Sequence, residues 1–454
     1  MKRLFLLSIF IIMIPGITSA QDYFTLNDCI NVALENNTQV KNAKLSIGTS
    51  KALKLASYSS ILPNISFSAS PSRSFRAATT YLGYTAVGIN SGTGQVIYGK
   101  REVTSPSNVT KNYSTNISLS QNVWDNGRWW NRIRQAESNL KATEMSFDAS
   151  KLNTVALVKS RYFDLVKVLA QRQVREESVT LAEEQLRQSE IMYDIGTVAQ
   201  VDVYRSKVNL DRSKINLINH DLMIENAKHN LNISMGRDPN DPVNINTNIN
   251  LDVNYDLDLE ALVNRGYSSN PEITRSDYLI NSSALGLKIA KADRFPVLRY
   301  SASYSRSNSD LDRIYEDVTK NYNLFFNVSL SYTLFDGFQR RANIQQATND
   351  VEINRENLND TKRNLKSNIV SYYNQLMAFR QKIEINNEMI AAAEEDLRLA
   401  NERYRVGSGT LIETIDAQVQ LTSAKYTLLE SQYDALIAEA NLLAAIGDIS
   451  GIRN

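Results

Sequence analysis

The chain has 454 residues, 43% of them hydrophobic, with 50 Lys plus Arg against 49 Asp plus Glu, two His and one Cys. Its net charge of +1 becomes −1 if Lys2 and Arg3 leave with a cleaved leader, so no basic surplus draws it to nucleic acid. One Cys and two His exclude a disulfide framework and a Cys/His zinc site, and no cofactor is expected. Beyond the first twenty residues no run of eighteen apolar residues occurs, which excludes spanning helices but leaves a β-barrel open.

In chain order, Met1-Lys2-Arg3, the apolar stretch Leu4 to Ile14 and the small residues up to Ala20 read as a secretory signal peptide over 1–20. Leu26-Asn27-Asp28-Cys29 superficially resembles a lipoprotein box. It lies beyond the expected cut with a carboxylate before the Cys, so Cys29 is expected to be a buried small residue without lipid. Ile65, Phe67 and Ala69 then alternate with Ser66, Ser68 and Ser70, and Ile117 and Leu119 alternate with Ser118 and Ser120. Strands of about ten residues, apolar on one face and serine-rich on the other, suit a lipid-facing wall with a wet interior. The glycines between these strands, Gly83 to Gly99, fit no phosphate-binding pattern and indicate an extracellular hairpin loop. Trp124, Trp129 and Trp130, with Phe335 and Phe338 later on, fall where strand gives way to helix, the place of an interfacial aromatic belt.

From Arg128 to Ile195, and again from Phe338 to Val406, there is no Gly or Pro; as straight helices these stretches reach on the order of 100 Å. Shorter stretches, Thr197 to Met235 and Thr410 to Ile446, follow each. Ile415, Val419, Thr422, Tyr426, Leu429, Tyr433, Leu436, Ala440 and Leu443 recur every 3.5 residues, as do Ile390, Ala393, Leu397, Ala400 and Tyr404. That period specifies coiled-coil packing; the matching first-half positions, with Asp211, Glu225 and Asn232, are more polar. His220 and His229 are nine residues apart on one helix and are read as packing or surface residues. The Pro- and Asn-rich segment 236–258 links the halves and is expected to wrap the waist of a helical barrel.

These segments form a duplication. Asn116–Ser120 recurs at 327–331, Trp124-Asp125 as Phe335-Asp336, Tyr193–Thr197 as Tyr404–Ser408 and Gly236 as Gly447, all at one offset of 211 residues. Upstream, Asn37 matches Asn270 and Pro63 matches Pro296 at an offset of 233, so the first copy carries 22 extra residues between Pro63 and Asn116. The expected organisation is a first repeat over 21–235, a linker over 236–258, a second repeat over 259–447 and a tail over 448–454. Four strands cannot close a barrel, and an open edge in hydrocarbon leaves backbone groups unpaired. Two copies give eight strands filled by side chains, whereas three give twelve and an aqueous channel, so a homotrimer is expected.

Over essentially the whole mature chain the sequence resembles the TolC-like outer-membrane efflux proteins. The resemblance rests on the opening Phe24 to Asn37, with Thr25 placed to cap a helix three residues before Asp28, and on two turns, Tyr193 to Val203 and Tyr404 to Thr414. Each turn carries Tyr-x-x-Gly followed by a hydrophobic-acidic pair, Val201-Asp202 and Ile412-Glu413. The resemblance implies an α+β membrane protein: a trimeric 12-stranded outer-membrane β-barrel, four strands per chain, continuing into a long periplasmic α-helical coiled-coil barrel. It implies no catalysis but a passive exit duct of a tripartite efflux or type I secretion system, in contact with outer-membrane lipid. Its tip would meet a periplasmic adaptor (membrane fusion) protein linked to an inner-membrane RND or ABC transporter. Gly196, Thr197, Gly407 and Ser408 would form the adaptor-docking tip, the two glycines reversing the chain. Glu413 and Asp416, one helical turn apart, match the family's acidic gate, and three copies would ring the opening with carboxylates. Tyr404 and Asp202 match further gate positions, but Gly409 stands where the better-known family member has an arginine, so the closed state is expected to be held by fewer contacts or by Arg405 instead. A soluble periplasmic coiled-coil scaffold is the rival reading and leaves the alternating strands unexplained; a hydrolase lacks any nucleophile-base spacing.

Overall fold

The computed structural model describes residues 23–247 and 249–448; the expected leader at 1–20 and the tail beyond Asp448 lie outside the described residues. The same plan, two helices, strands, a long helix and a returning helix, occurs twice. The first pass runs α1 (Leu26–Asn36), α2 (Thr38–Ser57), strands β1 (Asn64–Arg76) to β4 (Asn108–Trp124), the long α3 (Arg128–Asp194) and the returning α4 (Gln200–Met235). The second runs α5 (Leu259–Ser269), α6 (Pro271–Ala292), β5 (Val297–Asn308), the single-turn α7 (Asp312–Tyr315), β6 (Asn323–Ser331), the long α8 (Gln339–Arg405) and the returning α9 (Leu411–Ala445). Both long helices have 67 residues, about 100 Å of uninterrupted helix. Spatially the chain divides into two units, one of 23–49, 141–278 and 355–448, the other of 50–140 and 279–354, so each unit draws on both passes.

The smaller unit holds a four-stranded antiparallel sheet in the order β1-β4-β5-β6. Its register sorts side chains into chemically uniform rows. Ile65, Leu119, Ala302 and Phe326 are cross-strand partners on one face, as are Phe67, Ile117, Tyr304 and Leu324. The other face aligns Asn64, Ser120, Ser301 and Asn327, and next to them Ser66, Ser118 and Ser303, with Ser66 and Ser118 hydroxyls 2.8 Å apart. Phe325 is the one apolar side chain in that last row. A bulge between Asn122 and Trp124 shifts the alternation by one, so Trp124 pairs with Leu298 on the apolar face.

Two features differ from the sequence expectation. The strands are unequal: β4 has 17 residues and β6 has 9, because β4 rises past its partner to meet the whole of the 13-residue β1. The glycine-bearing insertion is a regular two-stranded ribbon, β2 (Thr79–Ile89) and β3 (Val96–Ser105), forming its own sheet with only Gly94, at φ +69°, in the left-handed region. Thr and Tyr on paired strands carry it, and their β propensity outweighs the glycines.

The larger unit is helical. Thr25 and Asp28 cap α1 reciprocally: the Asp28 N–H donates to Thr25 Oγ1 at 3.2 Å and the Thr25 N–H to Asp28 Oδ2 at 2.9 Å. Cys29 on this helix is fully buried, and burial pushes its thiol up to about 12. One core gathers Cys29, Ile30 and Ala33 with Val158, Tyr162 and Leu165 of α3, Leu231 and Met235 of α4, and Tyr433 and Leu436 of α9. A second joins Val263 of α5 to Leu365, Ile369 and Leu376 of α8 and Ala435, Ala438 and Leu442 of α9. The linking segment lies on the first core through Val243 and Ile245, and its Asn246 carbonyl accepts from the Tyr162 hydroxyl at 2.7 Å.

α9 therefore buries two seams. Tyr433 and Leu436, from the 3.5-residue pattern, face α3, while a second line of alanines and leucines, Ala417, Leu421, Ala435, Ala438 and Leu442, faces α8. Near the tip the first seam opens, and Val419 is 53% exposed. His220 is a packing residue, its Nε2 2.7 Å from the Val168 carbonyl.

Candidate functional site

Two helix joints and two helix turns repeat within the helical unit. At the first joint Asn37 holds two helices at once: its Nδ2 donates to the Ser234 carbonyl at the end of α4 (2.9 Å) and its Oδ1 accepts from the Gln39 N–H at the start of α2 (2.8 Å). Asn270 does the same in the second pass, to the Ala445 carbonyl (2.9 Å) and from the Glu272 N–H (2.8 Å). Gly236 (φ +73°) and Gly447 (φ +71°) end α4 and α9 so close to the next helix that an added Cβ would stand 2.6 Å from the Asn36 carbonyl oxygen and 2.5 Å from that of Ser269. The sequence marked these four residues only as repeats; their pairing is visible once the helix ends meet.

Gly196 and Gly407 both have φ +76° and close the long helices with the same bond pair. The Gly196 N–H donates to the Tyr193 carbonyl and Thr197 to Met192; Gly407 donates to Tyr404 and Ser408 to Arg403. This is the glycine-terminated helix end in which the left-handed residue turns two N–H groups back onto orphan carbonyls. The Thr197 and Ser408 hydroxyls donate to the same Met192 and Arg403 carbonyls, at 2.8 and 3.3 Å. Unlike the joints, Gly196 and Gly407 have open space around the Cβ position. Beneath the turns Met192, Tyr404 and Leu411 form a small apolar cluster with Val198 and Ile415.

Of the expected gate residues, Tyr404 is buried and its hydroxyl lies 3.3 Å from that of Ser189, which in turn lies 2.8 Å from that of Ser206. Burial pushes the Tyr404 phenol above its ordinary range. Asp202 is partly buried and sits 3.7 Å from Arg205 on its own helix, so the tyrosine bonds to a serine of α3 instead of this aspartate. Glu413 and Asp416 are exposed. Arg403, not Arg405, reaches Glu413, at 3.6 Å, while Arg405 pairs with Glu402. Beside these residues a cleft of about 340 Å³ is lined by Val201, Tyr204, Val208, Ile412 and Ile415 with Arg205.

In the sheet-bearing unit, each strand enters its long helix through the same turn. Asp125 accepts from the Trp129 N–H at 3.0 Å and Asp336 from the Arg340 N–H at 3.1 Å, after a pair of left-handed residues, Asn126-Gly127 and Gly337-Phe338. These turns present the aromatics: Trp124, Trp130, Phe335 and Phe338 are all more than half exposed, Trp129 and Trp130 lie 4.7 Å apart, and Phe335 meets Phe338 edge to face. Among the described residues no helix is long and apolar enough to cross a membrane and no acidic, His or Cys group is placed to hold a metal.

A sheet with one apolar and one hydroxylated face, aromatics at its helical end and heptad-patterned helices defines a β-barrel membrane protein subunit with a coiled-coil extension. The chain belongs to the outer membrane efflux protein family, whose model matches residues 29–237 and 262–448. It is 20% identical over 427 residues to the probable efflux pump outer membrane protein TtgC of Pseudomonas putida, covering 93% of this chain and 82% of that one. Outer membrane protein TolC of Escherichia coli is 20% identical over 349 residues, 74% of this chain and 70% of that one. The Campylobacter jejuni CmeC outer membrane channel superimposes with a TM-score of 0.78 at 19% identity, covering 93% of this chain and 85% of that chain. The protein is an outer-membrane efflux protein with a periplasmic helical part.

Proposed function

We propose that three copies of this chain close into one passive exit duct, with twelve strands in the outer membrane and a ring of periplasmic helices, which receives cargo from a periplasmic adaptor and an inner-membrane RND or ABC pump. The observation that carries this reading is the pair of open edges: among the described residues β1 and β6 each lack an outer neighbour in a sheet whose apolar face suits lipid. Residue correspondence between the repeats supports it independently. The 3.5-residue pattern of α9 corresponds, 211 residues earlier, to Tyr204, Val208, Ile215, Ile218 and Leu222 of α4, each 58–62% exposed, and Leu222 is the counterpart of Tyr433, which packs on α3. The long helix that α4 would need by analogy is α8, whose Ile385, at the position of the buried Val174 of α3, is 62% exposed. Within one chain α4 and α8 do not meet along these faces; in a ring, α4 of one copy packs on α8 of the next.

Such a duct performs no covalent chemistry, and its transport energy comes from the pump. The paired glycine turns suit adaptor docking because they are exposed and unobstructed, and the relatives' description as efflux pump proteins supports a pump partner. Glu413 and Asp416 would line the narrow end as six carboxylates. In planar bilayers the purified protein is expected to conduct, with block by multivalent cations that weakens when Glu413→Ala and Asp416→Ala are combined. Undiminished block rejects the carboxylate ring, and absence of any conductance from assembled protein rejects the duct.

A further inference from the structure

The apolar face of the sheet ends in a pair of like charges. Along β4 this face carries Leu119, Ile117, Thr115, Tyr113, Lys111 and Val109, and along β1 Ile65, Phe67, Ala69, Pro71, Arg73 and Phe75, with no register shift between the two strands. Lys111 and Arg73 are direct cross-strand partners. Both are exposed; the Arg73 guanidinium lies 4.8 Å over the Phe75 ring, and neither cation has an ion-pair partner among the described residues. Like charges directly opposite one another destabilise a strand pair, and an anion between them would relieve that repulsion.

Their height on the wall identifies that anion. Trp124 and Tyr113 pair with Leu298 and Asn308, ten residues apart on β5, which is about 34 Å along the strand and about 26 Å perpendicular to the membrane for a strand tilted by about 40°. That matches the apolar band of roughly 25 Å flanked by aromatic girdles in such barrels. Lys111 and Arg73 come one row above Tyr113, about 5 Å beyond the band at the same tilt, at the depth of lipid headgroups. No carboxylate lies on this face of the four strands, and from Asn64 to Trp124 five cations, Arg73, Arg76, Lys100, Arg101 and Lys111, accompany one acid, Glu102. Arg306, the other cation on this face, is covered by the segment that includes α7 and donates to the Arg313 and Glu316 carbonyls, so it is not available to lipid.

We propose that Arg73 and Lys111 form a binding site for a phosphate of the saccharide headgroup of outer-leaflet lipopolysaccharide. The site rests on the reading of the apolar face as lipid-facing and adds a specific lipid contact to it. Guanidinium and ammonium groups on adjacent strands can share one phosphate, Arg through its fork and Lys as a point charge.

The test is native mass spectrometry of the detergent-purified assembly with added rough-type lipopolysaccharide, its dephosphorylated form, or inorganic phosphate. Wild type is expected to retain the phosphorylated lipid. Combined Arg73→Gln and Lys111→Gln should lower its occupancy at least tenfold with subunit number unchanged, and dephosphorylated lipid should bind wild type as poorly. Combined Lys100→Gln and Arg101→Gln, on the separate ribbon, should cost much less. Equal retention by the Arg73/Lys111 variant, equal binding of dephosphorylated lipid, or complete displacement by millimolar inorganic phosphate each overturns the proposal. So does a variant that loses subunits while keeping lipid, which would assign the two cations to an acidic loop of a neighbouring copy. Because subunit number is read in the same spectrum, loss of the lipid site is distinguishable from failure of the barrel itself.

Discussion

Glycine performs two different tasks in this chain, and geometry separates them. At Gly236 and Gly447 a positive φ coincides with backbone of the next helix inside van der Waals distance, whereas at Gly196 and Gly407 only the φ constrains the residue. Alanine at either tip position is therefore expected to cost about 1 kcal/mol, the left-handed penalty alone. Alanine at either joint should cost on the order of 3 kcal/mol or more, because a carbonyl must move as well. Thermal melts of the four single variants check this; equal losses at all four sites would contradict it. Glu439 of α9 gives the pH dependence. Burial raises its carboxyl above the ordinary range, opposed by the Asn254 N–H and by Lys159. The folded chain thus holds that proton more tightly than the unfolded chain. The resulting stability is fully present below the ordinary carboxylate range and is lost as pH rises through the raised value. Glu439→Gln is expected to flatten the stability profile across that window, whereas parallel profiles would show that Glu439 contributes nothing to it.

Elements were legible to different degrees, for physical reasons. Alternation of apolar and serine residues marks β1, β4, β5 and β6 because each of their faces meets a single kind of environment. The α9 seam toward α3 was legible through Tyr433 and Leu436. Its partner seam toward α8 was not, because Ala417, Ala435 and Ala438 are small and alternate with polar neighbours such as Ser431. Asn37 and Asn270 looked like simple repeats since their bonds reach 197 and 175 residues along the chain. The gate partners were likewise hidden: that Tyr404 meets Ser189, and Arg403 meets Glu413, depends on helix rotation, which spacing alone leaves free. On α4 the pattern was present but its meaning was not, because Ile218 and Leu222 are 62% and 60% exposed in the single chain. Changing both to Asp should abolish assembly while leaving the helical circular dichroism of the monomer intact; an assembly that melts as wild type would mean that this face is not buried between copies.

At the scale of the whole molecule, two pairs of open surfaces complement one another. Among the described residues β1 and β6 are unpaired sheet edges, and α4 and α8 each carry an exposed apolar face. Heterologous contacts of this kind either close into a ring or propagate without end. A ring of three satisfies the strand count needed for a water-filled interior, whereas two copies would fill theirs with side chains. The most direct measurement is therefore the end point of edge-to-edge cross-linking. With Ser66→Cys on β1 and Asn327→Cys on β6, joined in membranes by a short bis-maleimide while the buried Cys29 stays silent, the account predicts a ladder that stops at three chains. A ladder ending at two, one that continues past three, or a protein that remains single would contradict it.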